Sequence, residues 1–538
     1  MTPSVHPAKR GSRRGVALKA TVVFAVIAVV AAACGGGSSG GKGGGSKKEV
    51  VLGTTDKVVA LDPAGAYDLG SWTIIYNVYQ NLLKIPAGGN KPVPDAATCD
   101  ATNPTTYTCH LQSGLKFSNG DPLTADDVVF SFNRVLKIND PNGPSSLFSS
   151  LKTATATNPT TVTFTLNAPD ATWPYVLTTG AGAIVDHKLF PANKLLPDAQ
   201  IIGSGPYSLS KYTPGQQAVF TVNKNYKGND QIKNGGFIIQ YFQQPSALKL
   251  AIEGGSVDVA YRNLSPTDIK SLQGESSKGV KVVSGNGTEI RYLVFNLNTQ
   301  PGTSAAQKLA IRQAVAYLIN RQDIANNVYN GTVQPLYSII PAGLLGHTEG
   351  FKDVYGASPD PAKAKAVLAA AGMTTPVPIT IWWTPTHYGA VSSDEYTEIQ
   401  RQLNASGLFK VTLQSAEWQT YSKAFATDQY AAYQLGWFPD FPDADDYTSP
   451  FYLCNKEFMN NHYCNHQVDT LIAQEKASTN QNTRDAAFAQ IQKITAQDAP
   501  LIPIWQGKQI GVIRSNVSGV QDTFDPSFTF RFWLVSKS

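Results

Sequence analysis

The sequence predicts a mixed α/β protein, and two observations carry that class. Short β-like runs such as "TVTFTLN", "AVFTVN", "IRYLVFNLN", "ITIWW" and "LIPIW" sit between Gly/Pro-rich turns. They interleave along the whole chain with stretches of helical apolar spacing instead of forming separate blocks. With 42% apolar and 10% aromatic residues, the chain can fill large cores.

Taken in order, "EVVLGTTDKVVALDP" opens with a strand-like run. "DPLTADDVVFSFNRVL" reads as a helix capped by Thr124, with Asp127 placed three residues on to reach back, as in a capping box. "AAQKLAIRQAVAYLIN" spaces its apolar residues as a helix with a core face does. "SPDPAKAKAVLAAAG" carries all three boundary signals: Asp360 as cap, Pro361 at the first helical position and Gly372 as terminator.

The first 33 residues differ from the rest. Lys9, Arg10, Arg13, Arg14 and Lys19 precede the apolar run "ATVVFAVIAVVAAA", which is short for a membrane span and reads as an export signal. It ends in "AAAC", small residues immediately before Cys34, the arrangement of a bacterial lipobox whose cysteine is lipidated. The flexible stretch "GGGSSGGKGGGSKK" follows at once and suits a tether between a lipid anchor and a folded domain. Residues 1–33 are thus expected to be a signal peptide and 34–48 a lipidated Gly/Ser tether. "SRRGVALK" leaves both the general and the twin-arginine export routes open.

Removing residues 1–33 takes away five basic groups and no acidic one, leaving 39 Lys and Arg against 39 Asp and Glu. A neutral mature chain gives no basis for nucleic-acid binding, which needs a positive surface. About 490 residues remain beyond the tether, enough for two or three domains. Besides Cys34 there are four cysteines, Cys99 with Cys109 and Cys454 with Cys464, each pair ten residues apart. In an exported chain this spacing suggests two local disulfides. Zinc at "HYCNH" is the alternative, although neither C-x-x-C nor H-E-x-x-H occurs.

Catalytic signatures are nearly absent. The one G-x-S-x-G, "GGSSG" at 36–40, lies in the tether, and no phosphate-binding loop appears. "LGWFPDFPDADDY" gathers Asp440, Asp443, Asp445 and Asp446 among aromatics, but Pro442 and Phe451 stand where a calcium loop needs oxygen ligands. A secreted hydrolase with scattered carboxylates and a non-catalytic binding protein both fit these residues. The lack of a nucleophile–base pair favours binding.

Seven segments, in order, carry a family resemblance: "LQSGLKFSNGDPLTADDVVFSFNRV", "IIGSGPYSLSKYTPG", "LAIEGGSVDVA", "LVFNLNTQP", "AIRQAVAYLINRQDI", "DPAKAKAVLAAAG" and "LGWFPDFPDADDY". Over about residues 50–535 the chain resembles the extracellular solute-binding proteins of family 5, the peptide-binding components of ABC importers. The resemblance implies a type II periplasmic-binding-protein fold (cluster C) with two hinged lobes and an extra domain in the first. Carried onto this chain, lobe I is expected at 49–84, 201–293 and 501–538, the extra domain at 85–200 and lobe II at 294–500, with crossings near "RYLVFNLN" and "PLIPIW".

The resemblance further implies a monomer without cofactor or metal that captures peptides for a membrane permease. It would sit on the outer face of the cytoplasmic membrane as a lipoprotein or, alternatively, in the periplasm. It makes Asp440 the partner of a peptide's α-ammonium, with Trp437, Phe438, Gly436, His387, Tyr388 and Trp418 around the ligand. The remaining aspartates of the segment, Asp443, Asp445 and Asp446, read as a solvated or helix-capping turn. Where dipeptide-specific relatives carry a carboxylate-binding arginine, this chain has "TPTHYG", with Thr386 and His387 nearest. That departure favours longer peptides over strict dipeptides. Oligosaccharides and nickel complexes remain alternative solutes, because the fold does not fix the ligand.

Overall fold

The structure, a computed structural model, describes residues 47–538. The expected signal peptide, Cys34 and the tether as far as residue 46 lie outside the described residues. The principal sheet has eleven strands. Its order runs Phe409–Ser415, Val377–Trp383, Ala432–Trp437, Val280–Phe295, Leu501–Arg514, Val259–Tyr261, Glu49–Thr54, Gly236–Tyr241, Gln217–Val222 and Tyr207–Thr213, with Val333–Pro335 paired onto Leu501–Arg514.

Two long strands tie this sheet together. Val280–Phe295 and Leu501–Arg514 run antiparallel, and their register breaks between Asn286 and Ile290 and again between Arg291 and Tyr292. On one side of the break they neighbour Val259–Tyr261, and on the other Ala432–Trp437. Beyond the break the strand alternates between two cores: Ile290, Tyr292 and Val294 face one, Leu293 and Phe295 the other. That period of two, apolar on both faces, is what a strand buried between helical layers requires. "LIPIW" is therefore only the start of a strand that continues through Gly507 and Gly511. Glycine fits at 511 because a Cβ there would meet the Phe524 ring at 3.0 Å.

The half containing Glu49–Thr54 has its own core, in which Phe237 stacks on Phe532 at 4.0 Å. A separate four-stranded antiparallel sheet, in the order Ala97–Asn103, Thr106–Leu111, Thr161–Leu166 and Leu151–Asn158, packs under helix Ala125–Ile138. Its core is an aromatic cluster in which Phe132 lies 4.7 Å from Phe148 and 4.9 Å from Phe164.

The expected boundary signals act as the chemistry suggests. Thr124 and Asp127 form a reciprocal capping box. Asp360 accepts from Lys363 N at the start of helix Pro361–Ala370, and Gly372 just past its end takes a left-handed φ of 68°. Cys99 is bonded to Cys109, directly opposite it in the sheet, and Cys454 to Cys464, so the one thiol of "HYCNH" is spent on a disulfide. Among the described residues, no helix is long and apolar enough to cross a membrane.

Candidate functional site

Strand Ala432–Trp437 pairs with the crossing strand so that Gly436 lies opposite Arg291 and Trp437 opposite Ile290. After Trp437 the chain leaves the sheet and turns through the short helix Ala444–Tyr447, which gathers the four aspartates of the segment.

Two of the four are fully compensated. Asp443 takes a two-pronged contact from Arg484, with Nη1 and Nη2 each at 2.7 Å, and also caps the short helix by accepting from Asp445 N. Asp445 faces Lys476 Nζ at 3.1 Å and accepts from the Ser449 hydroxyl. Burial would raise the Asp445 pKa, but Lys476 and these hydrogen bonds overcome it and hold the carboxyl below its usual value.

The other two have no such partner. Asp446 accepts from Trp437 Nε1 and from Asp440 N, each at 3.0 Å, and Asp440 accepts from the Tyr67 hydroxyl at 2.7 Å. Among the described residues, neither lies within ion-pairing distance of a lysine, arginine or histidine. Burial, though Asp440 keeps an edge open to solvent, pushes its pKa to about 7 against a slight pull from Tyr67. Asp446 is raised well above the carboxylate range, first by burial and then by Asp440 itself. Each charge disfavours the other, because two carboxylates joined through one turn resist carrying two negative charges.

The solvated-turn reading is corrected here: Asp443, Asp445 and Asp446 are 6%, 3% and 2% exposed. Packing of Phe441, Tyr447 and Phe451 against the surrounding core draws the whole turn inside. Only the capping part of that reading fits, and at Asp443.

The remaining sequence candidates line an aromatic wall around a residue that sequence reasoning missed. Arg291 is buried with its guanidinium 4.3 Å from the Tyr388 ring centre, 5.0 Å from Trp505 and 5.3 Å from Phe438, and pairs with Glu289 at 2.5 Å. Gly436 serves this arginine, since a Cβ there would meet Arg291 Nη1 at 2.4 Å. Phe438 is approached from its other neighbourhood by Arg262, 5.5 Å away and bound to Asp56 at 3.0 Å.

His387 stacks flat on Trp418 at 3.7 Å, with Tyr388 edge-on to both. One side of His387 faces solvent, yet burial against its neighbours and, second, the Arg291 charge push its pKa to about 4. The ring is therefore neutral at physiological pH. Thr386 is occupied with Glu417. Trp437 is part of the carboxylate group, and the candidates thus divide between a carboxylate floor and an arginine-centred wall joined by the Gly436–Asp440 segment.

Tyr67 and Asp440 are 373 residues apart and come from different halves of the sheet's connectivity. No local pattern in "GAYDLG" marks that contact. A sheet continued across two halves by a pair of long strands, with an uncompensated carboxylate pair where segments from both meet, defines a two-lobed solute-binding protein of the type II periplasmic class.

The chain belongs to the bacterial extracellular solute-binding proteins, family 5, whose middle region matches residues 91–458. It is 28% identical to di/tripeptide-binding protein 3 of Pseudomonas aeruginosa, over 81% of this chain and 85% of that one. It is 26% identical to the probable D,D-dipeptide-binding periplasmic protein DdpA of Escherichia coli, over 87% and 90%. Among solved structures it superposes on the ABC transporter substrate-binding protein CtaP of Listeria monocytogenes with a TM-score of 0.78 and 23% identity, covering 92% of this chain and all of the other. DppA of Helicobacter pylori, in complex with the peptide STSA, gives 0.74 at 21% identity, over 91% and 98%.

Proposed function

We propose that the protein is the ligand-capturing lipoprotein of an ABC importer and that it takes up peptides with a free amino terminus, longer peptides more readily than strict dipeptides alone. The observation that carries this reading is the Asp440–Asp446 pair: two buried carboxyls supplied with hydrogen-bond donors but with no protein cation among the described residues. A buried carboxylate without a counter-charge is costly, and a ligand ammonium at Asp440 removes that cost. The names of the relatives, di/tripeptide- and D,D-dipeptide-binding proteins, point the same way.

Preference for longer peptides is supported by the arginines of the wall. Arg262 and Arg291 are each already committed to an internal carboxylate, Asp56 and Glu289. Neither is held in reserve for a ligand carboxylate at a fixed distance from Asp440.

The mechanism is capture by closure. The lobes are those expected from the resemblance, 49–84 with 201–293 and 501–538 against 294–500, with 85–200 inserted in the first. The register break at Asn286–Ile290 favours that stretch as the flexing point. Tyr67 on Asp440 and Arg262 on Phe438 are contacts that closure would make across the cleft. The lipid at Cys34 and the glycine-serine tether would keep a monomeric receptor beside its permease. Chemistry on the ligand has no part in this scheme.

Native mass spectrometry of protein purified from cells tests the reading by the mass of the co-purified ligand. A ladder of peptide masses is expected; a single saccharide or metal-complex mass would replace peptide by another solute. In the same preparation wild type should partition with membranes through its lipid, while Cys34→Ser should be uncleaved or released.

A further inference from the structure

We propose that Phe458 is a positioning residue for the ammonium site, and that the Cys454–Cys464 bridge, by closing the loop that carries Phe458, sets how tightly that site holds its ligand. The inference rests on the peptide reading above and adds to it a dependence on one disulfide.

Asp446 Oδ2 is the node of the site. It accepts from Trp437 Nε1 and from the backbone N of Asp440, each at 3.0 Å, so the placement of the Asp440 carboxyl follows from that of the Trp437 indole. The indole is half-buried at the end of its strand and packs against two rings. Phe451, edge-on at 5.3 Å, is fully buried and is fixed in the core on helix Ser449–Tyr452. Phe458, 4.9 Å from Trp437 and 5.1 Å from Phe451, completes the cluster but belongs to no helix or strand.

Its place depends on how the loop is closed. From Cys454 to Cys464 the chain makes only turns, and Asn455, Asn460 and His462 take left-handed φ values of 59°, 51° and 60°. Such conformations persist where the surroundings over-determine them. The returning limb has such surroundings: Asp428 accepts from Asn460 Nδ2 at 2.9 Å and faces His462 Nε2 at 2.6 Å, and the carbonyl of buried Met459 accepts from the Tyr433 hydroxyl at 2.6 Å. The outgoing limb, which carries Phe458, has only near neighbours. Lys456 N donates to Leu453 O, Phe458 N to Pro450 O, and Glu457 accepts from His462 N within the loop. The bridge at its base is the remaining tie, and with Cys464 exposed and Cys454 half-buried a reductant can reach it. Opening it widens the conformations open to the loop, and the Phe458 contact is the part with least else to hold it.

The test is isothermal titration of tri-alanine, free and N-acetylated, against wild type, Phe458→Ala, Phe458→Leu and the double variant Cys454→Ser with Cys464→Ser. In Phe458→Ala the preference for the free over the acetylated peptide should fall about tenfold, the scale of one hydrogen bond to a charged group. Phe458→Leu, which refills much of the space, should recover most of it. The double variant should lose about threefold, half of that free energy. Wild type treated with a water-soluble phosphine, which takes up oxygen from water as the bridge becomes two thiols, should match the double variant. The double variant itself should not respond to the phosphine, which separates this bridge from Cys99–Cys109. Equal losses for both peptides would make Phe458 and the bridge general staples of the fold, and unchanged binding in Phe458→Ala or in the double variant would remove the proposal; either result leaves the peptide reading intact. Wild type that binds neither peptide, or both alike, would overturn the peptide reading and the positioning role with it.

Discussion

Within seven residues the chain builds two pairs of buried aspartates with opposite fates. Asp443 and Asp445 are met by Arg484 and Lys476, whereas Asp440 and Asp446 are met by a phenol, an indole and a backbone N–H. Asp446 is as buried as Asp443 and Asp445, and only Asp440 keeps an edge open to solvent, so exposure alone does not separate the pairs. The difference is where the counter-charge comes from. Arg484 and Lys476 are neighbours in the same half, on helices Gln481–Asp498 and His466–Lys476, and close the first pair permanently. The second pair faces the other half through Tyr67, and its charge is left for what lies between. On the proposed reading, one pair serves stability and the other, at some cost in stability, serves binding.

The largest effect should come from breaking the compensated pair. Arg484→Met leaves Asp443 and Glu475 buried without their cation, and losing one partner of a buried pair costs about 3–5 kcal/mol. Denaturant unfolding should show that loss. Peptide affinity, measured under conditions where the variant remains folded, should be unchanged. Weakened binding at full stability would erase the contrast.

A second effect separates the pairs by pH. Burial pushes the Asp440 carboxyl up to about 7 in the folded protein, from its ordinary value of 3.8. The folded protein thus holds a proton the unfolded chain has released, and the stability this contributes is fully present below about pH 4 and lost as pH rises through about 7. Asp445, held low by Lys476, has the opposite sign: its contribution is present above pH 3.8 and lost on further acidification. Thermal unfolding from pH 4 to 8 should show a decline in wild type that is smaller in Asp440→Asn, where Asp446, also raised by burial, still titrates, and identical curves would contradict it.

The smallest effect sharpens the contact between the halves. Tyr67→Phe removes one neutral donor from Asp440 and should weaken the empty closed form by about 1 kcal/mol. Scattering in the absence of ligand should show a more extended average shape than wild type. No change in the ligand-free protein would mean that Tyr67 is not part of closure.

How far the sequence could be read depends on the range of the physics involved. Caps, terminators and the ten-residue cysteine pairs depend on near neighbours, and Thr124, Asp360, Gly372 and both disulfides follow the reading made from them. The β-like runs are also readable, but the length of Leu501–Arg514 is not, because Gly507 and Gly511 look like turn residues until Phe524 is seen against Gly511. Asp440 was singled out only by the resemblance. Its partner Asp446 looked like part of a polar turn, since nothing in "DADDY" tells that aromatic packing will bury it. Arg291 and Tyr67 carry no local signal; their importance comes from tertiary neighbours far along the chain.

The claim that the uncompensated pair awaits a ligand's ammonium is tested most directly by isothermal titration of wild type and Asp440→Asn with one oligopeptide in free and N-acetylated forms, closing a double-mutant cycle. Asparagine keeps the shape and removes the charge. The free peptide should lose about a hundredfold or more in affinity, as a buried ion pair broken on one side implies. The acetylated peptide should bind wild type weakly and lose little more on mutation. Equal losses for the two peptides would contradict the account, assigning Asp440 to holding its own loop.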